Sequence, residues 1–290
     1  MTVAEQYALI AMNGVELGKK NVLIRRKKNC ILAAYELDEI LKIEDESEKE
    51  ERFHQRIKEL SKLSAKEREK RVDVVVNKLV AEGKLEVISA LMDSDLYMEE
   101  AGVTSKQYRA EKSVFLATTE YLRAEILEEG EISEEVLCLT WLLKQSDEWN
   151  TIFSISEKEN AESRILKLCL ENSFAKNLFM ERIGVFGADF YGFLSYIRGR
   201  MLYTQFGIGL VSRMPVLARR EAVFIATDSY FTNAAERTQF VKEKLEKKGH
   251  FCEVKQMGKV SLLEIDNAFY ELVPDMDHRV FGVRLRRYML

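Results

Sequence analysis

Over about the first 177 residues of the chain, apolar side chains recur at the spacing of an α-helix. The clearest example follows Ser64 and Glu67, which match a capping box, a serine and a glutamate that together satisfy backbone amides at a helix start. One face of this segment carries Val72, Val75, Val76, Leu79 and Val80. Gly83 is placed to end it. The pattern therefore predicts a helix between Ser64 and Gly83.

Other helices of this half are predicted from a capping residue followed by an apolar face. Thr104 with Gln107 opens one of them, and Ser133 opens the next. Ser156 with Glu159 opens the last. Apolar residues at helical spacing follow each of these caps, so local and longer-range signals agree.

The rest of this half contains two more predicted helices, over about residues 4–12 and 29–42. The sequence VLIRRKK at residues 22–28 is interpreted as a hairpin arm or loop. Residues 84–98 are interpreted as a hairpin, because apolar and charged positions alternate there. Together these segments predict a mainly helical N-terminal domain over residues 1–177.

From residue 218 to residue 290 the pattern changes to short apolar runs. EAVFIATDSYF predicts a buried strand, and Asn233 with Glu236 predicts the start of a helix. A turn is predicted over residues 274–278. The remaining predicted strands are FCEVKQM, VSLLEID, AFYELV and RVFGVRLRRYML. This order predicts a small α+β domain over 218–290 with a mostly antiparallel sheet, and an α+β class for the chain.

Glycines and aromatic residues become frequent over residues 178–217, between the two predicted domains. Arg200 and Arg213 interrupt the apolar stretch, so it does not predict a transmembrane helix. We interpret this segment as a buried connector or helical hairpin. The alternative is a segment that lies in a membrane interface, which needs an apolar face with basic flanks.

The composition indicates a folded protein of a reducing compartment. Hydrophobic residues make up 47% of the chain and charged residues 32%, with 2 prolines in 290 residues; a disordered chain is poorer in apolar residues. The cysteines stand far apart among apolar neighbours, at Cys30, Cys138, Cys169 and Cys252. They predict buried thiols and no disulfide framework. Because the first residues also lack a signal-peptide pattern, we expect a cytoplasmic protein, or one attached peripherally to a membrane.

Few patterns in the chain match catalytic chemistry. No serine lies in a GxSxG motif, and no GxxxxGK[ST] loop is present. His250 and Cys252 have strand spacing without a second ligand pair. We interpret them as a turn histidine and a buried thiol, not as a zinc site. No cofactor and no metal are therefore predicted.

One carboxylate set offers an enzymatic alternative. Asp228 ends a predicted strand, and Glu253 and Lys255 share a face of the next one. This is the D…ExK spacing of metal-dependent nucleases, in which two carboxylates hold a divalent ion and the lysine orients or activates water. The simpler interpretation is a half-exposed strand on which charged and apolar residues alternate. A metal-dependent nuclease is thus the second hypothesis.

Charge is distributed unevenly along the chain, with the acidic run EDESEKEE at residues 44–51 and an acid-free, arginine-rich C-terminal strand. Alternation on that strand places Arg284, Arg286 and Tyr288 on one face. The opposite, apolar face carries Phe281, Val283 and Leu285. Arginine and tyrosine suit phosphate, nucleic acid or an acidic segment such as residues 44–51. The favoured interpretation is a solvated edge strand guarded by arginines.

The helical half resembles the Golgi phosphoprotein three family, including its bacterial relatives, over about residues 3–177. The segments that carry the resemblance are VAEQYALIAMNG, NCILAAYELDEIL, SAKEREKRVDVVVNKLVAEGKLE and YLRAEILEEGEISEEVLCLTWLLKQSDEWNTIFS. The resemblance implies a helical fold and a peripheral membrane adaptor. The α+β segment from residue 218 lies outside it.

The resemblance also implies where a lipid headgroup would bind, and this chain departs from the family there. Eukaryotic members bind phosphatidylinositol 4-phosphate with a tryptophan and an arginine near the first hairpin and with an arginine pair before the leucine-rich helix. The first region here offers Arg25, Arg26, Lys27 and Lys28. The second contains Glu131, Ser133, Glu134 and Glu135. Carboxylates repel a phosphorylated headgroup, so no headgroup-binding residue is carried over.

These observations together predict a non-catalytic interaction protein or peripheral membrane adaptor. Its expected partner is a protein or an anionic membrane surface, met through Arg25 to Lys28, with nucleic acid as a further partner of the C-terminal basic strand. Any lipid binding through the basic run should be weak, removable by salt and independent of phosphoinositide.

Overall fold

The computed structural model of the protein describes residues 1–19, 21–183, 222–227, 233–277 and 279–288. The predicted connector from residue 184 onwards lies outside the described residues, and so does Asp228. In chain order the elements are α1 Val3–Met12, α2 Val22–Ile40, α3 Glu46–Lys62, α4 Ala65–Ala81, β1 Leu85–Ser89, a 3₁₀ turn Leu91–Ser94, α5 Leu96–Ala101, β2 Lys106–Ala110, α6 Lys112–Leu127, α7 Glu134–Ser146, α8 Trp149–Ile152, α9 Ile155–Glu171, α10 Ser173–Met180, β3 Ala222–Ala226, α11 Ala234–Lys247, β4 Cys252–Gln256, β5 Ser261–Ile265, β6 Ala268–Asp277 and β7 Val280–Tyr288.

The described residues divide into two compact units. Residues 1–86 and 110–183 form a helical unit, whereas residues 87–109 and those from 222 onwards form a sheet unit. Residues 87–109 were assigned to the helical domain on sequence, yet they group with the sheet. The predicted α+β class, with a mainly helical start followed by an antiparallel sheet, is confirmed.

Several helices begin where their capping residues predict. At the start of α4, Glu67 N donates to Ser64 Oγ at 3.3 Å and Ser64 N donates to Glu67 Oε2 at 3.0 Å, which completes the predicted capping box. Ser133 caps α7 by accepting from Val136 N at 3.4 Å. In each case the partner is within one turn, so the sequence pattern contains the whole signal.

The hairpin arm or loop predicted over residues 22–28 is wrong, because this segment is the start of α2. Asn21 begins the helix by accepting from Ile24 N at 2.8 Å. Lysine and arginine are strong helix formers, and the basic run continues the helix into residues 29–40. Helix α3, which contains most of the acidic run 44–51, was also missed; Asp45 caps it by accepting from Glu48 N at 2.8 Å.

Two predicted helix starts are misplaced. Residues 106–110 form β2, and α6 begins instead at Glu111, whose carboxylate accepts from Val114 N at 2.8 Å. Helix α9 begins at Ser154, which forms a capping box with Glu157, and not at Ser156. Both serines are followed three residues later by a glutamate, so the motif alone does not distinguish them.

The core of the helical unit is built around large aromatic side chains. Phe53 of α3 contacts the ring of Trp141 of α7, with centroids 5.7 Å apart at 71°, and the ring of Phe174 of α10 at 6.3 Å. All three side chains are fully buried. These contacts join helices that are far apart in sequence. Truncating a buried aromatic side chain to alanine lowers the free energy of unfolding by about 3–5 kcal/mol.

The sheet unit contains a five-stranded antiparallel sheet in the order β3-β7-β6-β5-β4. Of the apolar face predicted on β7, Val283 and Leu285 enter the core, where they pack with Val241 and Leu245 of α11, whereas Phe281 is 43% exposed. Leu91, from the 3₁₀ turn, joins the same core. The sheet is therefore covered on this face by α11 and by part of residues 87–109.

Three strand predictions need correction. Strand β7 lies between β3 and β6, so it is not an edge strand. The predicted turn at 274–278 begins too early, because Pro274 pairs with Val283 and β6 continues to Asp277. Residues 84–98 do not form a hairpin: β1 pairs with β2, and the intervening chain is held by Asp93, which accepts from Ser105 N at 3.0 Å.

Candidate functional site: a basic pocket in the helical unit

The predicted basic run occupies the first turns of α2, and its charges are partly neutralised. Lys27 Nζ lies 2.7 Å from Glu148 Oε1, and both side chains are nearly buried, at 12% and 11% exposure. Lys28 forms an ion pair with Glu69 of α4. Arg25 is exposed and forms no ion pair within the described residues. Arg26 is half-buried. Of the run, the arginines rather than the lysines are placed to attract an external anion.

Arg25 shares a face of α2 with Asn29 and Leu32, because residues four and seven positions apart lie on one side of a helix. This face borders a pocket of about 230 Å³, which we call the basic pocket. Apolar side chains form part of its wall: Leu32, Ile57 and Leu60. Cationic side chains line it as well: Lys58, Arg68 and Arg182. The pocket thus combines an apolar wall with positive charge.

Asn29 is the polar side chain at the wall of this pocket that α2 supplies. It is 8% exposed and lines the pocket. Its amide nitrogen offers two donors, so an oxygen-rich anion in the pocket can accept a hydrogen bond from it.

The cations of the basic pocket differ in how firmly they are held. Arg68 donates from Nε to Leu63 O at 3.0 Å and from Nη2 to Ser61 O at 2.9 Å, which fixes its guanidinium across the turn between α3 and α4. Lys58 and Arg182 are exposed. The acidic residue of the lining, Glu181, lies 3.2 Å from His54 Nδ1. The lining therefore carries more positive than negative charge.

Sequence reasoning missed Asn29, Lys58, Arg68 and Arg182 as a set. They come from α2, α3, the start of α4 and the chain after α10, so no local spacing links them. The only sequence signal nearby was the basic run at residues 25–28, which was interpreted as part of a hairpin arm or loop and does not line the pocket.

The candidate nuclease residues fall partly outside the described chain. Lys255 Nζ lies 2.8 Å from Glu253 Oε1 and 2.8 Å from Glu264 Oε2, and Glu264 is almost fully buried. Strands β3 and β4 occupy opposite edges of the sheet, about 19 Å apart at the usual strand spacing. Asp228 itself is not described. Within the described residues, no group of three or more metal-ligating side chains is present.

The arginines of β7 have partners within the sheet unit. Arg284 forms ion pairs with Asp275 and Asp277 of β6 and lies over the ring of Phe224, 5.2 Å from its centroid. Its side chain is 12% exposed. Arg286 pairs across the ladder with Glu271, and Tyr288 with Phe269. The predicted charged face exists, but Arg284 acts there in sheet packing.

A buried polar cluster in the sheet unit was also missed. Asp266 Oδ2 lies 2.6 Å from His250 Nδ1, and Asp266 Oδ1 accepts from Phe251 N at 3.0 Å. Gln107 Nε2 and Arg109 Nη1 reach the same carboxylate at 3.5 and 3.4 Å. Asp266 therefore ties three separate segments together. His250, interpreted from the sequence as a turn histidine, is thus a buried partner of Asp266. Burial raises the pKa of the Cys252 thiol to about 12.

Within the described residues, no helix is long and apolar enough to cross a membrane. Comparison of this chain with protein-family models, curated proteins and solved structures gives no match.

Proposed function

We propose that this protein is a non-catalytic peripheral adaptor that binds an anionic membrane surface through the basic pocket of its helical unit. The observation that carries the proposal is the grouping of Lys58, Arg68 and Arg182 in the lining of one pocket that also has an apolar wall. The resemblance of residues 3–177 to the Golgi phosphoprotein three family supports the same function.

The charge balance favours weak, diffuse binding over recognition of a particular phosphoinositide. Each basic residue near an anionic membrane contributes about 1 kcal/mol, and this attraction falls within a Debye length. Lys27 forms an ion pair with Glu148 and Lys28 forms one with Glu69, so neither lysine is available to bind a phosphate group. We therefore expect binding to any anionic lipid, reversed by salt.

Flotation with liposomes tests the proposal. Vesicles of phosphatidylcholine with phosphatidylglycerol should carry the protein at low salt and release it at high salt, whereas pure phosphatidylcholine vesicles should not carry it. Reversing two charges of the pocket, Lys58→Glu with Arg182→Glu, should lower binding at least about tenfold. Lys42→Glu is the matched control, because Lys42 is 68% exposed and lies just beyond the far end of α2, about 20 Å from Asn29.

Asn29→Asp is a second test of anion binding at the pocket. It keeps the size of the side chain and places a carboxylate beside the pocket, so anion binding should fall while circular dichroism stays unchanged. Equal flotation of all variants would overturn the basic pocket as the binding surface. Salt-resistant binding that requires phosphatidylinositol 4-phosphate would instead show a specific headgroup site.

Two other functions, protein binding and DNA cleavage, predict different experimental results. Absence of flotation, together with capture of a protein partner that Lys58→Glu weakens, would make the pocket a protein-binding surface. The nuclease hypothesis requires cleavage of DNA with Mg²⁺ or Mn²⁺ that is lost in Glu253→Gln and in Lys255→Met. We do not favour it, because the paired Lys255 lies on the strand at the opposite edge from β3.

A further inference from the structure

His54 lies on α3, one helical turn before Lys58, which lines the basic pocket. Its ring nitrogen Nδ1 is 3.2 Å from Oε2 of Glu181, and Glu181 is the acidic residue of the described pocket lining. The two side chains are 45% and 31% exposed, so both are in contact with water. A side chain that gains and loses a proton therefore lies directly beside the negative charge of the pocket.

The buried aromatic core holds both members of this pair in position. Phe53, the residue before His54, contacts the ring of Trp141 with centroids 5.7 Å apart. The indole Nε1 of the same tryptophan donates to Glu181 O at 3.1 Å, and Gln145 Nε2 donates to this oxygen at 3.2 Å. Because the side chain of Trp141 is fully buried, it fixes the backbones of His54 and Glu181 relative to each other. The contact between the two side chains is thus built into the fold of the helical unit.

Protonation of His54 changes the charge balance of the pocket. With a neutral histidine, the described lining carries three cationic side chains, Lys58, Arg68 and Arg182, and the carboxylate of Glu181. A protonated His54 adds a positive charge next to that carboxylate and offsets its repulsion of anions. Histidine is the side chain that ordinarily changes its charge between about pH 5 and 8. Acidification through this range therefore makes the pocket more attractive to anions.

Other charged side chains surround His54 on the elements packed against α3, which include α2 and α10. From α2, Glu36 faces α3 and pairs with Arg56 at 3.6 Å. From α7, Glu134 pairs with Lys49 at 2.9 Å. Further charged residues lie within one turn on α3, on α10 and just after α10: Glu50, Glu51, Lys58, Lys176, Glu181 and Arg182.

Carboxylates, lysines and arginines ordinarily keep their charge between about pH 5 and 8. Of the three histidines of the chain, His250 and His278 are not part of the helical unit. His54 is therefore the group near the pocket whose charge responds to pH in this range.

We propose that His54 and Glu181 form a pH switch that strengthens binding of the basic pocket to anionic membranes as the pH falls. At pH 7.5, His54 is neutral and the Glu181 carboxylate repels lipid phosphates. At pH 5.5, the protonated His54 pairs with Glu181, and the pocket gains one positive charge. One further basic group near an anionic membrane should tighten binding roughly fivefold. The switch rests on the proposed membrane function, because it acts on the same pocket.

Flotation of the full chain at low salt, at pH 7.5 and at pH 5.5, tests the switch with vesicles of phosphatidylcholine and phosphatidylglycerol. The wild-type protein should bind roughly fivefold more tightly at pH 5.5. His54→Gln, which removes the ionisable ring, should lose this gain. His278→Gln is the matched control, because it removes an equal ionisable charge outside the helical unit, and it should keep the gain.

Two further variants fix the charge of the pocket at pH 7.5. His54→Lys supplies a permanent cation and Glu181→Gln removes the carboxylate, so each should bind at pH 7.5 about as tightly as the wild type at pH 5.5. Circular dichroism at both pH values checks that the variants are folded. Equal pH dependence of the wild type and His54→Gln would overturn the switch and leave the proposed membrane function intact. Absence of wild-type flotation at both pH values would overturn both.

Discussion

The helix caps of the helical unit and the polar contacts of the sheet unit join residues at very different distances along the chain. In the helical unit, Ser64 and Glu67 cap a helix from three residues apart. In the sheet unit, Gln107 meets Asp266 across 159 residues, and the edge amide of Phe224 donates to Asp95 across 129. The comparison teaches that local polar pairs can be found from sequence, whereas long-range pairs require the fold.

The largest expected loss of stability in the helical unit comes from a substitution in its aromatic core. Phe53→Ala removes a fully buried ring that contacts Trp141 and Phe174, so the free energy of unfolding should fall by about 3–5 kcal/mol. Tryptophan fluorescence in urea measures this unit alone, because both tryptophans of the chain, Trp141 and Trp149, lie in it. Leu170→Ala is the control: this leucine is 89% exposed, and the change should stay within about 0.5 kcal/mol.

The Asp266 cluster sets the expected effect in the sheet unit. Asp266→Asn keeps the positive φ of 49° but replaces a carboxylate oxygen with a donor amide that faces other donors. A cost of about 2 kcal/mol should speed hydrogen exchange of residues 87–109 roughly thirtyfold, measured by mass spectrometry. Unchanged exchange there would show that Gln107 and Arg109 do not depend on this carboxylate. Asn267→Gly, with φ 64° at the native residue, should leave exchange nearly unchanged.

The start of α9 offers a matched test of a local signal. Ser154→Ala removes the hydroxyl that accepts from Glu157 N at 3.4 Å and should lower the free energy of unfolding by about 1 kcal/mol. Ser156→Ala, which alters the serine that the sequence pattern favoured, should change it by less than about 0.5 kcal/mol. Urea unfolding followed by fluorescence compares the two. A larger effect at Ser156 would place the helix start two residues later.

The smallest effects concern two carboxylates near the start of α1, whose pKa values shift in opposite directions. Burial raises the pKa of Asp38, although Val3 N donates to it at 2.7 Å. Burial also acts on Glu5, but hydrogen bonds from Lys78 and Thr2 outweigh it and lower the pKa of Glu5. Glu5 therefore adds stability above its unfolded value of 4.5 that is lost as the pH falls through its folded pKa.

Asp38 has the opposite sign: its contribution decreases as the pH rises from 3.8 through its raised folded pKa. Relative to the wild type, Glu5→Gln should thus lose stability as the pH rises from about 3 to 5, whereas Asp38→Asn should gain it over the same range and just above. Urea unfolding at a series of pH values measures both slopes. Slopes of the same sign would contradict the environments assigned to these carboxylates.

The sequence analysis succeeded where the physical signal was contained within one helical turn or one strand. The caps at Ser64 and Ser133 and the alternation of Val283 and Leu285 were all predicted. It failed at Ser156, because two overlapping capping patterns are chemically equivalent and only packing of the helix selects one. Arg25, which lies on the same face of α2 as Asn29, was a predicted binding residue, but the basic pocket itself was not predicted. Its lining comes from four separate segments of the chain.

By itself, the sequence determined the α+β class, most helix positions and the face of β7 that enters the core, since these follow from periodicity and caps over a few residues. The tertiary structure alone decided that residues 87–109 group with the sheet, that β7 is central, and that Asp266 joins three segments. Those features depend on pairings across more than a hundred residues or on strand order. Many chain arrangements share the same local pattern, and only the burial and hydrogen bonding of the whole fold distinguish them.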